Sequence, residues 1–222
     1  MAAMAEAVPG QGIPSRPVLH GTAAAFGTCL FGLFVNSGMP WTLLAAAALL
    51  GTALTISHSF FREPDPSEIL GLLPFSHKVI YGLVLGSSTG VVLGLLFRSY
   101  GDLPLFPRGL GRFVFVAVGI GAAEEILFRG YIQGRFQGLG RFIAPLLAAG
   151  AHTLYKLALF ASPPAGVVVD YFFLGFWTLL AGIILGGLRE WFGSALPPIG
   201  GHVLFDIIAY GERGHAPWWV WP

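Results

Sequence analysis

Charge is what this sequence has least of. Only 23 of its 222 residues are Asp, Glu, Lys or Arg, about 10% against roughly 25% in a soluble domain. A water-soluble fold of this size could not cover its surface with so few charges when 55% of the chain is hydrophobic. A mean hydropathy of +0.74 points the same way. A cytosolic globular enzyme and a disordered tail are thereby excluded. Cys29 is the single cysteine, so no disulfide framework is available. With a formal net charge of +1 and no basic block, nothing offers a footing for nucleic acid. What is present is apolar sequence in lengths that suit a bilayer, and the class expected is an all-α, polytopic transmembrane helix bundle.

A span needs about 20 residues at about 1.5 Å rise each. Apolar segments of that order lie at 18–35, 40–60, 77–97, 110–134, 140–160, 166–188 and 194–210. Seven spans are expected, with an eighth conceivable at 68–76 or at the C-terminus. The breaks carry turn residues: Asn36-Ser-Gly38, two prolines within 62–67, and Ser162-Pro-Pro164. Segment 18–35 lacks a basic region ahead of it and reads as a retained helix rather than a removed signal. The division expected is a tail at 1–17, N-terminal membrane helices at 18–109, a helical core at 110–210 and an interfacial tail at 211–222. In that last tail Trp218, Trp219 and Trp221 suit the membrane–water boundary. Arg135, Arg141 and Arg189 share one side while 161–170 has no Lys or Arg, which makes the first side cytoplasmic. The abundance of Gly and Ala implies closely packed helices. Together with Pro it points to a GC-rich prokaryote, hence to a prokaryotic plasma membrane.

Of eleven acidic residues, only Glu124, Glu125 and Asp206 fall well inside expected spans. Each charge near a span centre costs about 2.5–3.5 kcal/mol on the insertion scale, so Glu124, Glu125 and Arg129 together cost on the order of 8–10 kcal/mol before pairing. Glu125 and Arg129 stand four apart, with Glu on the N-terminal side, the favoured order for a helical pair. Glu124 points about 100° away from that face and finds no such partner on its own helix. His152 lies mid-span. His202 and Asp206 stand one turn apart, so the Asp could fix the His tautomer or both could contact one ligand. Counted from the side that holds the loops after the fourth and sixth spans, Glu124, His152 and His202 come to one level, about 13–18 Å deep. Lys156, one turn after His152, could snorkel or neutralise a carboxylate. Each of these groups also has a purely structural reading, as a buried hydrogen-bonding or ion-pair network.

One carboxylate and two imidazoles in a sheltered site suit activation of water. Other membrane-protease chemistries find no motif: there is no His-Glu-x-x-His, Ser194 lacks a Gly-x-Ser-Gly context, and Asp170 and Asp206 lack Gly-x-Gly-Asp.

The ordered set Glu124-Glu125-x-x-x-Arg129, mid-span His152 and His202-x-x-x-Asp206 resembles the three motifs of the CPBP family, the CAAX- and bacteriocin-processing intramembrane proteases also called Abi proteins. The resemblance spans about residues 110–210. It departs at Ala148, which stands where the family's second motif has Phe. It implies a glutamate-dependent intramembrane endopeptidase acting on a membrane-associated protein or peptide. Glu124 would activate water, His152 would partner it, His202 and Asp206 would stabilise the oxyanion, and Glu125 and Arg129 would support the site. Glu124, His152 and His202 would also suit zinc, and a metal-free mechanism uses the same residues. Two other classes stay open: a proton- or cation-coupled small transporter running through Glu124, Glu125 and Asp206, and a non-catalytic partner of membrane proteins.

Overall fold

The computed structural model describes residues 15–62, 66–72 and 76–220. Among them all regular structure is helical: α1 (Ser15–Val35), α2 (Trp41–Phe60), the short α3 (Pro66–Leu70), α4 (His77–Tyr100), α5 (Phe113–Glu125), a π segment (Ile126–Ile132), α6 (Gln133–Phe136), a 3-10 turn (Gln137–Leu139), α7 (Ile143–Leu159), α8 (Tyr171–Phe192) and α9 (Leu196–Tyr210). Helices satisfy their own backbone groups, as a bilayer demands. Arg16–Val35, Trp41–Phe60, His77–Tyr100 and Tyr171–Phe192 are long and apolar enough to cross one. Helix α7 is shorter, and the apolar run from α5 to α6 is interrupted by the π segment.

The polarity of the bundle is that of a membrane protein. Leu43, Leu50 and Leu54 of α2, Val84 of α4 and Phe172 of α8 face outward. Arg98, Glu125, Arg129, Gln133 and Arg189 are almost wholly enclosed. Lipid takes the place of water on the outside, so the polar groups gather inside where they find partners. Together these features make an integral membrane protein.

Several boundaries differ from those expected, each for a local reason. The α8 span begins five residues late: Gly166 has a φ of +83°, and the helix is nucleated only at Asp170, whose carboxylate accepts the Phe173 N–H at 2.8 Å. It runs on to Gly193, left-handed at φ +68°, which closes it. The first helix starts at Ser15, inside the expected tail; the rest of that tail, residues 63–65 and Trp221 lie outside the described residues. Among the described residues of 68–76 the helical part is the end of a five-residue helix, too short to span. The C-terminal tail folds back onto the bundle, with the Trp219 ring against Phe160 (5.5 Å between centroids) and Tyr210 (6.1 Å).

Two packing features position the buried charges. The π segment supplies Phe128, Tyr131 and Ile132 to a core shared with Ala24 of α1 and Ala144, Ala148 and Tyr155 of α7. The Tyr131 hydroxyl shares a 2.7 Å hydrogen bond with that of Ser59 on α2. Helix α4 lies on α9 through glycines at every fourth position. A Cβ at Gly90 would strike the carbonyl of Gly201, and one at Gly86 the carbonyl of Pro197. Arg98, at the end of the same helix, donates to the carbonyl of Ile208 at 3.2 Å and pairs with Glu212 at 3.5 Å. Since α9 carries His202 and Asp206, Gly90→Leu is expected to push that helix away, destabilising the protein by about 1–3 kcal/mol as overpacking does. The check is a thermal melt in detergent, in which the variant unfolds at a lower temperature than the wild type.

Candidate active site

Four helical segments deliver charge to one place. Glu124 and Glu125 end α5, Arg129 sits in the π segment, His152 and Lys156 are one turn apart on α7, and His202 and Asp206 are one turn apart on α9. π turns inside helices recur at functional sites, and this one follows directly on the two glutamates. Gly121, one turn before Glu125, clears the way for α9: a Cβ there would lie 2.9 Å from His202 Cδ2 and against the Asp206 carboxylate.

The polar groups form one connected network. Arg129 Nη1 donates to Glu125 Oε1 at 2.9 Å and to His152 Nδ1 at 2.7 Å. A guanidinium cannot accept, so Nδ1 of His152 is the acceptor and the ring proton resides on Nε2. That Nε2 donates to Glu124 Oε2 at 3.2 Å. The other oxygen of Glu124, Oε1, accepts from Lys156 Nζ at 2.6 Å. His202 donates through Nδ1 to Glu125 Oε1 at 2.8 Å, and its Nε2 lies 3.8 Å from Glu124 Oε2. Phe128 stacks on the His152 ring, 4.4 Å between centroids and 21° from parallel. The aromatic neighbour of this imidazole therefore comes from the π segment, while Ala148 is buried in the core behind it.

Glu124, His152 and His202, which the sequence sets 28 and 50 residues apart, are thus brought within contact distance. The Glu125–Arg129 pair forms as its spacing suggests. One expectation is corrected: the partner that orients His202 is Glu125 and not Asp206. The Asp206 carboxylate lines the cavity beside the ring and has no hydrogen-bond partner among the described residues. Lys156 neutralises a carboxylate, and it is Glu124.

These groups open onto a cavity of about 430 Å³. Its other walls are mostly apolar, with Leu93, Phe97 and Tyr100 of α4, Phe173 and Trp177 of α8, Phe205 of α9 and Trp219 of the tail, and include Asp170 and Thr178. The α8 residues and Trp219 carry no motif and could have been found only from the fold. At the rim, Tyr100 stacks on Phe173 at 3.6 Å and donates to Asp170 at 2.5 Å, tying α4 to the start of α8. The Phe173 N–H and then the Tyr100 hydroxyl hold the Asp170 carboxyl below the usual aspartate range. Glu212, outside the spans, is likewise lowered, first by the Arg108 N–H it accepts.

Zinc does not fit this donor set. To ligate through Nε2, neutral His152 would have to move its proton to Nδ1, against the N–H of Arg129 that already fills that lone pair. The ammonium of Lys156 occupies Glu124 Oε1. Among the described residues no group of three His, Cys, Asp or Glu has metal-holding geometry.

An enclosed carboxylate–imidazole network facing an apolar cavity in a helical membrane protein defines the class of site. Residues 106–208, which contain every member of that network, match the family model of Rce1-like, type II CAAX prenyl endopeptidases. Over that segment, a little under half of its length, the chain is similar to this family of CAAX proteases. It also resembles a curated protein of Sodalis glossinidius (strain morsitans), one of the subunits of an ion-translocating oxidoreductase complex, at 29% identity over 135 residues, 57% of this chain and 58% of that one. The chain thus spans less than two thirds of that relative's length. No solved structure matches the chain.

Proposed function

We propose that this protein is an intramembrane endopeptidase that hydrolyses a peptide bond of a membrane-associated protein or peptide, with Glu124 as the base that activates water. The observation that carries the reading is the convergence of Glu124, His152 and His202 on one apolar cavity within the segment that matches a protease family. A substrate peptide enters the cavity from the bilayer. Glu124 takes a proton from water as the water oxygen bonds to the scissile carbonyl carbon. The oxyanion that forms is met by His202, protonated on Nε2, and by Asp206 when it carries a proton. Glu125 faces the imidazolium and offsets its charge. Glu124 then returns its proton to the leaving amine as the C–N bond breaks. His152, held in one tautomer by Arg129, keeps the Glu124 carboxylate aimed. The cytoplasmic half of the membrane is the proposed location, on the strength of Arg135, Arg141 and Arg189 at one end.

The test is the purified protein in liposomes with a prenylated peptide as probe, its products identified by mass. New fragments are expected, and their formation survives chelation by 1,10-phenanthroline, because no step passes through a metal. Ion translocation is a second reading, favoured by the relative of that description and by buried carboxylates. The same liposomes under a proton gradient decide it: proton uptake that stops in Asp206→Asn, with no peptide cut, would replace the protease reading.

A further inference from the structure

Every member of the polar network lies within residues 106–208, yet one wall of the cavity beside it comes from beyond that segment. The tail returns over the end of the bundle where α5 begins and α7 and α9 finish, and it sets Trp219 in the cavity wall. Ring centroids place the indole 6.3 Å from Phe113, 5.5 Å from Phe160 and 6.1 Å from Tyr210. The same ring stands 5.7 Å from Lys156 Nζ, which itself is 2.6 Å from Glu124 Oε1. The indole is thus a near neighbour of the proposed base.

The backbone that carries it is fastened. Asn36, just past α1, donates from Nδ2 to the carbonyl of Trp219 at 3.5 Å and to that of Leu159 at 3.2 Å. The Phe113 N–H donates to the Arg213 carbonyl at 3.2 Å, and the Val220 N–H to that of Pro217 at 3.0 Å. A wall held in this way resists overfilling as a packed core does. The α8 side of the cavity is built from smaller groups. Thr178, Ala181 and Gly182 line it, and a Cβ on Gly182 would stand 3.0 Å from Arg129 Nη2. The network is therefore bounded by an indole toward the tail and by small side chains toward α8.

We infer that Trp219 determines which side chains flank the scissile bond, admitting a small one on the tail side of Glu124 while the α8 side takes a large one. This deepens the protease reading and rests on it. In an extended strand successive side chains point to opposite faces, so the two residues joined by the scissile bond face different walls. A bulky side chain turned toward the tail meets the indole. Turned toward α8, it finds the room that Ala181 and Gly182 leave. Trp219 takes no part in proton transfer; it sets what fits beside the groups that do.

The experiment locates, by product mass, the bond cut in a prenylated peptide in liposomes, then places Ala or Trp on each side of that bond in turn. For the wild type, Trp on one side is expected to lower kcat/KM by on the order of 10- to 200-fold relative to Ala, the range of discrimination by pocket fit. Trp on the other side is expected to cost little. Trp219→Ala removes the penalty and still cuts the peptide with Ala on both sides at close to the wild-type rate. Trp219→Phe removes part of it. Trp218→Ala keeps it, because that indole packs on Phe160 at 5.4 Å and does not line the cavity. A merely structural tail would slow all peptides together and leave their ratios unchanged, which overturns the proposal. So does a wild type that treats both sides alike, even if no variant folds, or a penalty that persists in Trp219→Ala. If peptides are cut without discrimination, the protease reading stands and only the role of Trp219 falls; if none is cut, the protease reading falls first.

Discussion

Glu124→Gln is expected to lower the rate of peptide hydrolysis by about 10²–10⁴, the contribution of a positioned general base, while leaving the bundle folded. The amide has nearly the shape of the carboxylate, so α5 keeps its packing and Gly121 its close approach to α9. What is lost is the basic carboxylate oxygen that takes a proton from water. The change leaves Lys156 without its counter-charge 2.6 Å away, but that ammonium can turn toward Tyr155, Trp219 and the cavity. The measurement is a progress curve for the prenylated peptide in liposomes, alongside a melt of each protein. A variant that melts like the wild type and cuts at full rate would remove Glu124 from the chemistry.

Arg129→Met is expected to act on stability first. Glu125 is fully enclosed, and its permanent cation is the guanidinium at 2.9 Å. Removing one partner of a buried pair costs about 3–5 kcal/mol, because the remaining charge is left in a low-dielectric interior. His152 also loses the donor that fixes its tautomer, so surviving folded molecules hydrolyse slowly. Cys29, the single and half-buried cysteine, supplies the readout: its thiol reacts with a maleimide dye as the bundle opens. The variant is expected to react at a much lower temperature than the wild type. Adding Glu125→Gln recovers part of the loss, since a shared network makes the two substitutions non-additive. Equal melting of Arg129→Met and wild type would contradict the network.

Four of the helices could be read from apolar run lengths, because a bilayer asks for about 20 residues and these run to 20–24; the helices that carry the site are shorter and less regular. The site could be located because charge inside a span is costly and therefore conspicuous, as with Glu124, Glu125 and Arg129. The partners were harder to read. His202 and Asp206 share a helix face, which suggested that they pair; in the fold the imidazole turns to Glu125, across the seam that Gly121 opens. Nothing in the spacing of Phe128 announces that it stacks on His152, since that contact depends on the π winding and on how α7 crosses it. The cavity walls from α8 and the returning tail carry no charge and no motif. The late start of α8 turns on a single capping carboxylate, Asp170.

The central claim is that Glu124 activates water and does not itself attack the peptide. A single turnover in H₂¹⁸O with enzyme in excess over the prenylated peptide tests it most directly. With water as the attacking group, the new product carboxylate carries one ¹⁸O from the first turnover, and the protein fragment containing Glu124 keeps its natural mass. A Glu124 fragment heavier by the label, with an unlabelled product carboxylate, would show a covalent acyl-glutamate and contradict the claim.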